Sequence, residues 1–113
     1  MISFKDAFSH YIHTQAGILL RLILVTKKEI TIINKLGLHA RAAAKFVTLA
    51  SQYECEIELR RGDRTVSGKS IMGVMLLAAA KGTELEIIAN GENEAEALDA
   101  LCDLVNNKFD EAE

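Results

Sequence analysis

The 113-residue chain has little of what marks several large functional classes: it has no tryptophan, its aromatic residues make up 5% of the total, and its net charge is -3. Its Lys and Arg residues do not cluster with the few aromatics. Proteins dedicated to nucleic acids concentrate positive charge to meet the phosphate backbone and often add aromatic stacking. We therefore exclude a dedicated RNA- or DNA-binding module.

Cysteine is scarce as well. The two cysteines, Cys55 and Cys102, have no CxxC-type spacing, so neither a zinc site nor a disulfide framework is indicated. Both lie among apolar residues, and we expect buried, reduced thiols, which suits a cytoplasmic protein. No pattern in the sequence indicates a metal or any other cofactor.

Long apolar runs are also missing. The longest, GILLRLILV at residues 17–25, is shorter than the roughly 20 residues of a membrane helix and contains Arg21. The chain continues TKKE where a signal peptide would need a small-residue cleavage site. The sequence therefore predicts no membrane span and no signal peptide.

Half of the chain is apolar, which at this length predicts one globular domain. Alternation in ECEIEL places Cys55, Ile57 and Leu59 on one strand face and three glutamates on the other. Four strands are predicted, at 29–33, 54–59, 65–68 (after the turn residues RRGDR) and 84–88.

Three helices are predicted between and after these strands. The first has one apolar face, formed by Ala42, Ala43, Phe46, Val47 and Ala50. The middle helix begins at Ser70 as N-cap and ends at Lys81-Gly82, and the last spans about 94–106 with Asn93 and Glu96 as a capping pair. The order βαββαβα predicts a two-layer α+β domain with one sheet face in water.

His39 stands out chemically, because it lies between Gly37 and the start of the first helix. A helix N-terminus has unpaired N–H groups and a partial positive charge, which attract anions and disfavour protonation of a nearby imidazole. A phosphoryl group on this imidazole would find those N–H groups and Arg41. No catalytic partner flanks His39 in sequence, so we expect a phosphoryl carrier rather than a free-standing catalyst. The alternative is that His39 is only a polar N-cap.

Two stretches resemble the signatures of one family. GLHARAAA, around His39, resembles the phosphohistidine signature of HPr from the bacterial phosphoenolpyruvate phosphotransferase system. DRTVSGKSIMGVMLLA resembles that family's second signature, around a serine. The resemblance covers Lys27 to about Phe109 and implies the family's HPr-like open-faced sandwich, a four-stranded antiparallel sheet with three helices on one face.

The resemblance implies that His39 is phosphorylated on Nδ1 by phospho-enzyme I and donates to an enzyme IIA protein, with Arg41 stabilising the phosphate. Many members have proline after this arginine, whereas this chain has Ala42 and no proline at all. Alanine is a strong helix former and keeps its N–H, so we expect the site to survive.

The second signature implies a regulatory serine and a binding surface. Ser70 aligns with the serine that an HPr kinase phosphorylates in some members, although serine is also simply a preferred N-cap. Ile71, Met72 and Met75 cannot all be buried against one sheet, and methionines suit a surface that fits several partners. We expect these three to bind partners of a monomer, with Met75 as plain core the alternative.

NKLGLHAR and the ending NNKFDEAE look more like nitrogen-related HPr homologues than the sugar-transport form. The sugar-transport role remains open, as does a regulatory binding module that is never phosphorylated or a small hydrolase. Residues 1–25 match nothing in the family, so 26–113 is the expected HPr-like domain. If the codon of Val25 is GUG, translation could start there, and the extension would not be part of the native protein.

Overall fold

The structure is a computed structural model that describes residues 26–113. The predictions made for residues 1–25 therefore lie outside the described residues. The elements follow the predicted βαββαβα order and end in a short 3-10 turn. They are β1 (Thr26–Thr31), α1 (Ala40–Ala50), β2 (Glu56–Arg61), β3 (Arg64–Ser67), α2 (Ile71–Leu76), β4 (Glu84–Asn90), α3 (Glu94–Asn106) and the turn Lys108–Asp110.

The four strands form one antiparallel sheet in the order β1-β4-β2-β3. Its register pairs Ile30 with Leu85 and Leu59 with Ile87, so the apolar residues of three strands share one face. On the opposite face Glu86 forms ion pairs with Lys27 and Arg60. The α+β fold with one sheet face in water is confirmed.

The helices cover the apolar face of the sheet. The face predicted for α1 is buried, and α3 packs against β1 and β4 with Leu98, Leu101 and Val105 almost fully buried. Both cysteines are buried as expected, and burial is the main cause that raises the pKa of the Cys102 thiol. Within residues 26–113 the longest helix has 13 residues, and none is long and apolar enough to cross a membrane.

The predicted end of the middle helix is wrong: α2 ends at Leu76 rather than at Lys81-Gly82. Arg64 donates to the carbonyl of Leu76, and Arg61 donates to the carbonyls of Leu77 and Ala78. These guanidinium groups occupy the acceptors that further helical turns would use, and Ala78 adopts a φ of 49°.

The predicted N-cap position of α3 is correct, but the predicted side-chain capping hydrogen bond is not. Asn93 is the N-cap of α3, yet its side chain makes no capping hydrogen bond. Its φ of 60° is left-handed, a region that asparagine tolerates better than most residues. Asn93 therefore contributes its left-handed backbone to the turn after Gly91. Glu94 and Glu96 place negative charge in the first turn of the helix, where the helix dipole favours it.

Candidate functional site

A tight loop between β1 and α1 positions His39. Asn34 is fully buried there, and its Nδ2 donates to the carbonyl of Gly37 at 2.8 Å. Gly37 has a φ of 70°, which only glycine adopts without strain. The next residue, Leu38, donates its N–H to Ala79 at 2.9 Å and ties the loop to the segment after α2. The loop thus delivers His39 to the start of α1 in a fixed orientation.

His39 is the N-cap of α1 by position, with φ -72° and ψ 178°, but its side chain makes no capping hydrogen bond. The imidazole instead contacts Glu111, with 2.5 Å between Nε2 and Oε2. The side chain remains 28% exposed. The predicted alternative of a side-chain cap is therefore not what the structure shows, and the ring is partly open to solvent beside the unpaired N–H groups of the first turn. Helix α1 forms with Ala42 buried in that turn, without the family's proline.

Glu111 belongs to a segment that we call the C-terminal strap, residues 108–113. Three successive residues with positive φ, Lys108, Phe109 and Asp110, reverse the chain after α3. The Phe109 side chain is fully buried, and its carbonyl accepts from Lys45 Nζ at 2.8 Å. Burial of a phenylalanine is worth about 1.5–3 kcal/mol, which offsets much of the cost of the left-handed backbone. The strap is therefore anchored to the domain and brings its carboxylates to His39.

Both oxygens of the Glu111 carboxylate have partners. Asn34 Nδ2 donates to Oε1 at 3.0 Å, and His39 lies on Oε2. Burial raises the pKa of the Glu111 carboxyl, but these two hydrogen bonds and the attraction to His39 and Arg41 outweigh it, so the net shift is downward from 4.5. The stabilisation from this carboxylate is complete above the ordinary pKa and is lost only as the pH falls through the lowered pKa.

Several positive side chains line the same depression as the ring. A shallow depression beside His39 is lined by Lys35, Arg41 and Lys45 together with the C-terminal strap. Arg41 is exposed, and no ion pair within residues 26–113 holds its guanidinium. An anion on the imidazole would therefore lie in a depression that one guanidinium and two ammonium groups also line. No cluster of metal-binding side chains occurs in the part of the chain that the structure describes.

Ser70 and the predicted binding residues lie together at α2. Ser70 is exposed and caps this helix, its Oγ accepting from the N–H of Gly73 at 3.1 Å. Met72 is 69% exposed, and Met75 at 39% is not plain core. Helix α2 packs against α1, which begins next to His39. The exposed large apolar residues form one set that we call the apolar surface: Leu36, Ile71, Met72, Met75 and Leu76.

The sequence patterns did not point to three polar residues of the site, Asn34, Lys45 and Glu111. A signal for the strap was present, because Phe109 is an isolated aromatic residue in an otherwise polar ending. An apolar residue past the end of a helix commonly packs back onto the domain. That anchor would have pointed to the following acidic residues as neighbours of the core, but not to His39 in particular.

Comparison with known proteins agrees with this geometry. A family model described as "PTS HPr component phosphorylation site" matches residues 26–107. The phosphocarrier protein HPr of Pseudomonas aeruginosa is 62% identical over 86 residues, covering 75% of this chain and 96% of that protein. The phosphocarrier protein NPr of Shewanella violacea is 43% identical over 86 residues, covering 76% and 94%.

A solved structure agrees as well. The crystal structure of an HPr from Thermoanaerobacter tengcongensis superposes with a TM-score of 0.75 at 42% identity, covering 78% of this chain and 99% of that chain. The open-faced sandwich expected from the two signatures is thereby confirmed. On the sequence match, the fold and the arrangement around the histidine together, the chain belongs to the HPr family of the phosphotransferase system.

Proposed function

We propose that His39 carries a phosphoryl group from phospho-enzyme I to an enzyme IIA protein. The observation that carries this proposal is the partly exposed imidazole at the start of α1, in a depression that the cations Lys35, Arg41 and Lys45 also line. Membership of the HPr family supports it. The family resemblance names Nδ1 as the atom that is phosphorylated.

Each residue has a simple part in the transfer. The Nδ1 lone pair of His39 attacks phosphorus, the bond from phosphorus to the donor atom of phospho-enzyme I breaks, and its electron pair stays with that atom. The phosphoryl dianion is then stabilised by Arg41 and by the first N–H groups of α1. The second transfer repeats these steps in the opposite direction, with His39 as the leaving group. The site binds and orients, and the partners supply the other reactive groups.

The apolar surface is the proposed contact for both partners. Its five side chains are between 39% and 69% exposed. Methionine is flexible and polarisable, so Met72 and Met75 can fit two differently shaped partners in turn. This surface has to be free in the working protein, which we therefore propose acts as a monomer.

We further propose the nitrogen-related branch, in which phosphate flow serves regulation. The support is the phrase NKLGLHAR, the ending NNKFDEAE and the similarity to a protein named NPr. A sugar-transport role is the second candidate, because the relative with 62% identity is named HPr.

One labelling experiment tests the carrier and its branch together. The protein is mixed with phosphoenolpyruvate, Mg²⁺ and either a nitrogen-type or a sugar-type enzyme I, and acid-labile phosphate on the protein is measured over time. We expect stoichiometric labelling, faster with the nitrogen-type donor. Faster labelling by the sugar-type donor would support the second branch. Continuous release of phosphate would indicate a hydrolase, and no labelling by either donor would leave a binding module.

We also propose that Ser70 is a regulatory phosphorylation site. Its hydroxyl is exposed at the edge of the apolar surface, where a phosphate of charge about -1.5 to -2 would disturb docking of an acidic partner. We expect ATP and an HPr kinase to label the wild-type protein and not Ser70→Ala. A Ser67→Ala variant, changed at another exposed serine nearby, serves as the control and should label normally. Equal labelling of Ser70→Ala would refute this assignment.

A further inference from the structure

The contact between His39 and Glu111 has a direction, because the two groups differ in what they can donate. An ionised carboxylate only accepts hydrogen bonds, so the proton between His39 Nε2 and Glu111 Oε2, 2.5 Å apart, belongs to Nε2. In a neutral imidazole the other nitrogen then has the free lone pair. With Glu111 ionised, the nitrogen left free to react would be Nδ1.

We propose that Glu111 is a positioning residue that keeps the His39 proton on Nε2 and thereby directs the phosphoryl group to Nδ1. This inference rests on the proposed function and deepens it. The sequence alone offers no choice between the two ring nitrogens, and the family resemblance names Nδ1 without a cause. In this proposal the choice of Nδ1 is caused by the side chain of Glu111, which lies 72 positions after His39 in the sequence.

The surroundings of Glu111 keep it in the state that this role requires. Asn34 is fully buried and uses one amide group to hold both Gly37, in the loop before His39, and Oε1 of Glu111. The Asn34 side chain thus joins the loop to the strap. The other charged groups that line the depression with His39 and Glu111 are Lys35, Arg41 and Lys45, with Asp110 and Glu113 on the strap itself. Three cations against two further carboxylates favour an ionised Glu111.

The same contact matters after phosphorylation. When Nδ1 bonds to phosphorus and Nε2 keeps its proton, the ring becomes a cation, and the Glu111 carboxylate lies directly beside it. In the second transfer the bond between Nδ1 and phosphorus breaks, its electron pair returns to the ring, and a neutral imidazole leaves. Without the proton on Nε2 the leaving group would be an imidazolate anion, which is a far poorer one. Glu111 thus favours both the correct acceptor atom and easy release.

Anchors that do not involve the Glu111 side chain hold the strap. Phe109 is buried, Lys45 binds its carbonyl, and the Lys35 backbone N–H binds the carbonyl of Glu113. Glu111→Gln is therefore expected to fold normally with the strap in place. A glutamine is neutral and offers both a donor and an acceptor to Nε2, so it no longer fixes the proton.

The test compares Glu111→Gln with Glu113→Gln. The control removes an equal charge from the same strap, at a side chain that is 73% exposed and pairs only with Lys35. The first readout is the ¹⁵N NMR spectrum of the neutral His39 ring, assigned by its absence in His39→Ala. We expect Nε2–H to predominate in the wild type and in Glu113→Gln, and a mixture of both tautomers in Glu111→Gln.

The second readout is the rate of phosphoryl transfer from labelled protein to enzyme IIA. We expect Glu111→Gln to accept label and pass it on roughly 10- to 100-fold more slowly, by analogy with the loss of the partners that orient metal-binding histidines. A wild-type tautomer in Glu111→Gln, or a wild-type transfer rate, would overturn the inference. If the wild-type protein never accepts label, the proposed function fails, while the tautomer measurement needs no phosphate and still decides the role of Glu111.

Discussion

Replacing His39 with alanine is expected to abolish phosphorylation by enzyme I completely. The methyl group offers no lone pair to phosphorus, and no other histidine, serine or cysteine lines the same depression. The substitution should leave the fold intact, because the side chain is 28% exposed and its polar contact among the described residues is the one to Glu111. The measurement is acid-labile phosphate on the protein after incubation with phosphoenolpyruvate and enzyme I, together with the circular dichroism spectrum.

The matched control is Ser70→Ala, which removes the other candidate phosphate acceptor. It should label at the wild-type level, since Ser70 lies at α2 and the proposed acceptor of the enzyme I phosphoryl group is His39. Undiminished labelling of His39→Ala would show that another residue accepts the phosphoryl group and would end the carrier proposal as it is stated for His39.

Replacing Gly37 with alanine is expected to destabilise the protein by roughly 2–4 kcal/mol, from a strained positive φ together with overpacking. A Cβ at this position would lie 2.5 Å from the carbonyl oxygen of Ala79 and 3.0 Å from Cα of Ala80. That carbonyl is the acceptor for the Leu38 N–H. The loop therefore has to move away from the backbone that anchors it, and His39 moves with it.

Gly62 provides a close control, because its φ of 60° is similar and a Cβ there would meet nothing within 4 Å. Gly62→Ala should therefore cost only about 1 kcal/mol, from the left-handed backbone alone. Urea unfolding of both variants measures the difference. Equal losses of stability would mean that the contact with Ala79 has no energetic role. Phosphorylation should slow in Gly37→Ala and stay unchanged in Gly62→Ala.

The features that sequence predicted well depend on local pattern. The alternation of Cys55, Ile57 and Leu59 predicted a strand face that is buried, and helical spacing predicted the buried face of α1 and the bounds of α3. Ser70 caps α2 through its own hydroxyl, as a serine at that place should. In each case the signal and the structure involve residues within about one helical turn of each other.

The features that sequence missed depend on contacts between distant segments. The end of α2 is set by Arg61 and Arg64 from the hairpin, which no helical periodicity can reveal. Glu111 is one of many glutamates in the sequence, and only the reversal at residues 108–110 turns it toward His39. The candidate site was thus predictable in its histidine and arginine, and not in the carboxylate that completes it.

The order of the strands has a consequence for the newly made chain. Strand β4 lies between β1 and β2, although it is the last strand to be synthesised. Until residues 84–90 leave the ribosome, only the β2–β3 hairpin has its partner, and an isolated hairpin is at best marginally stable in water. Glu111 emerges later still. The nascent protein therefore exposes His39 before it has the sheet that supports the loop or the carboxylate that contacts the ring, and the arrangement around His39 is complete only once residues 108–111 have been added.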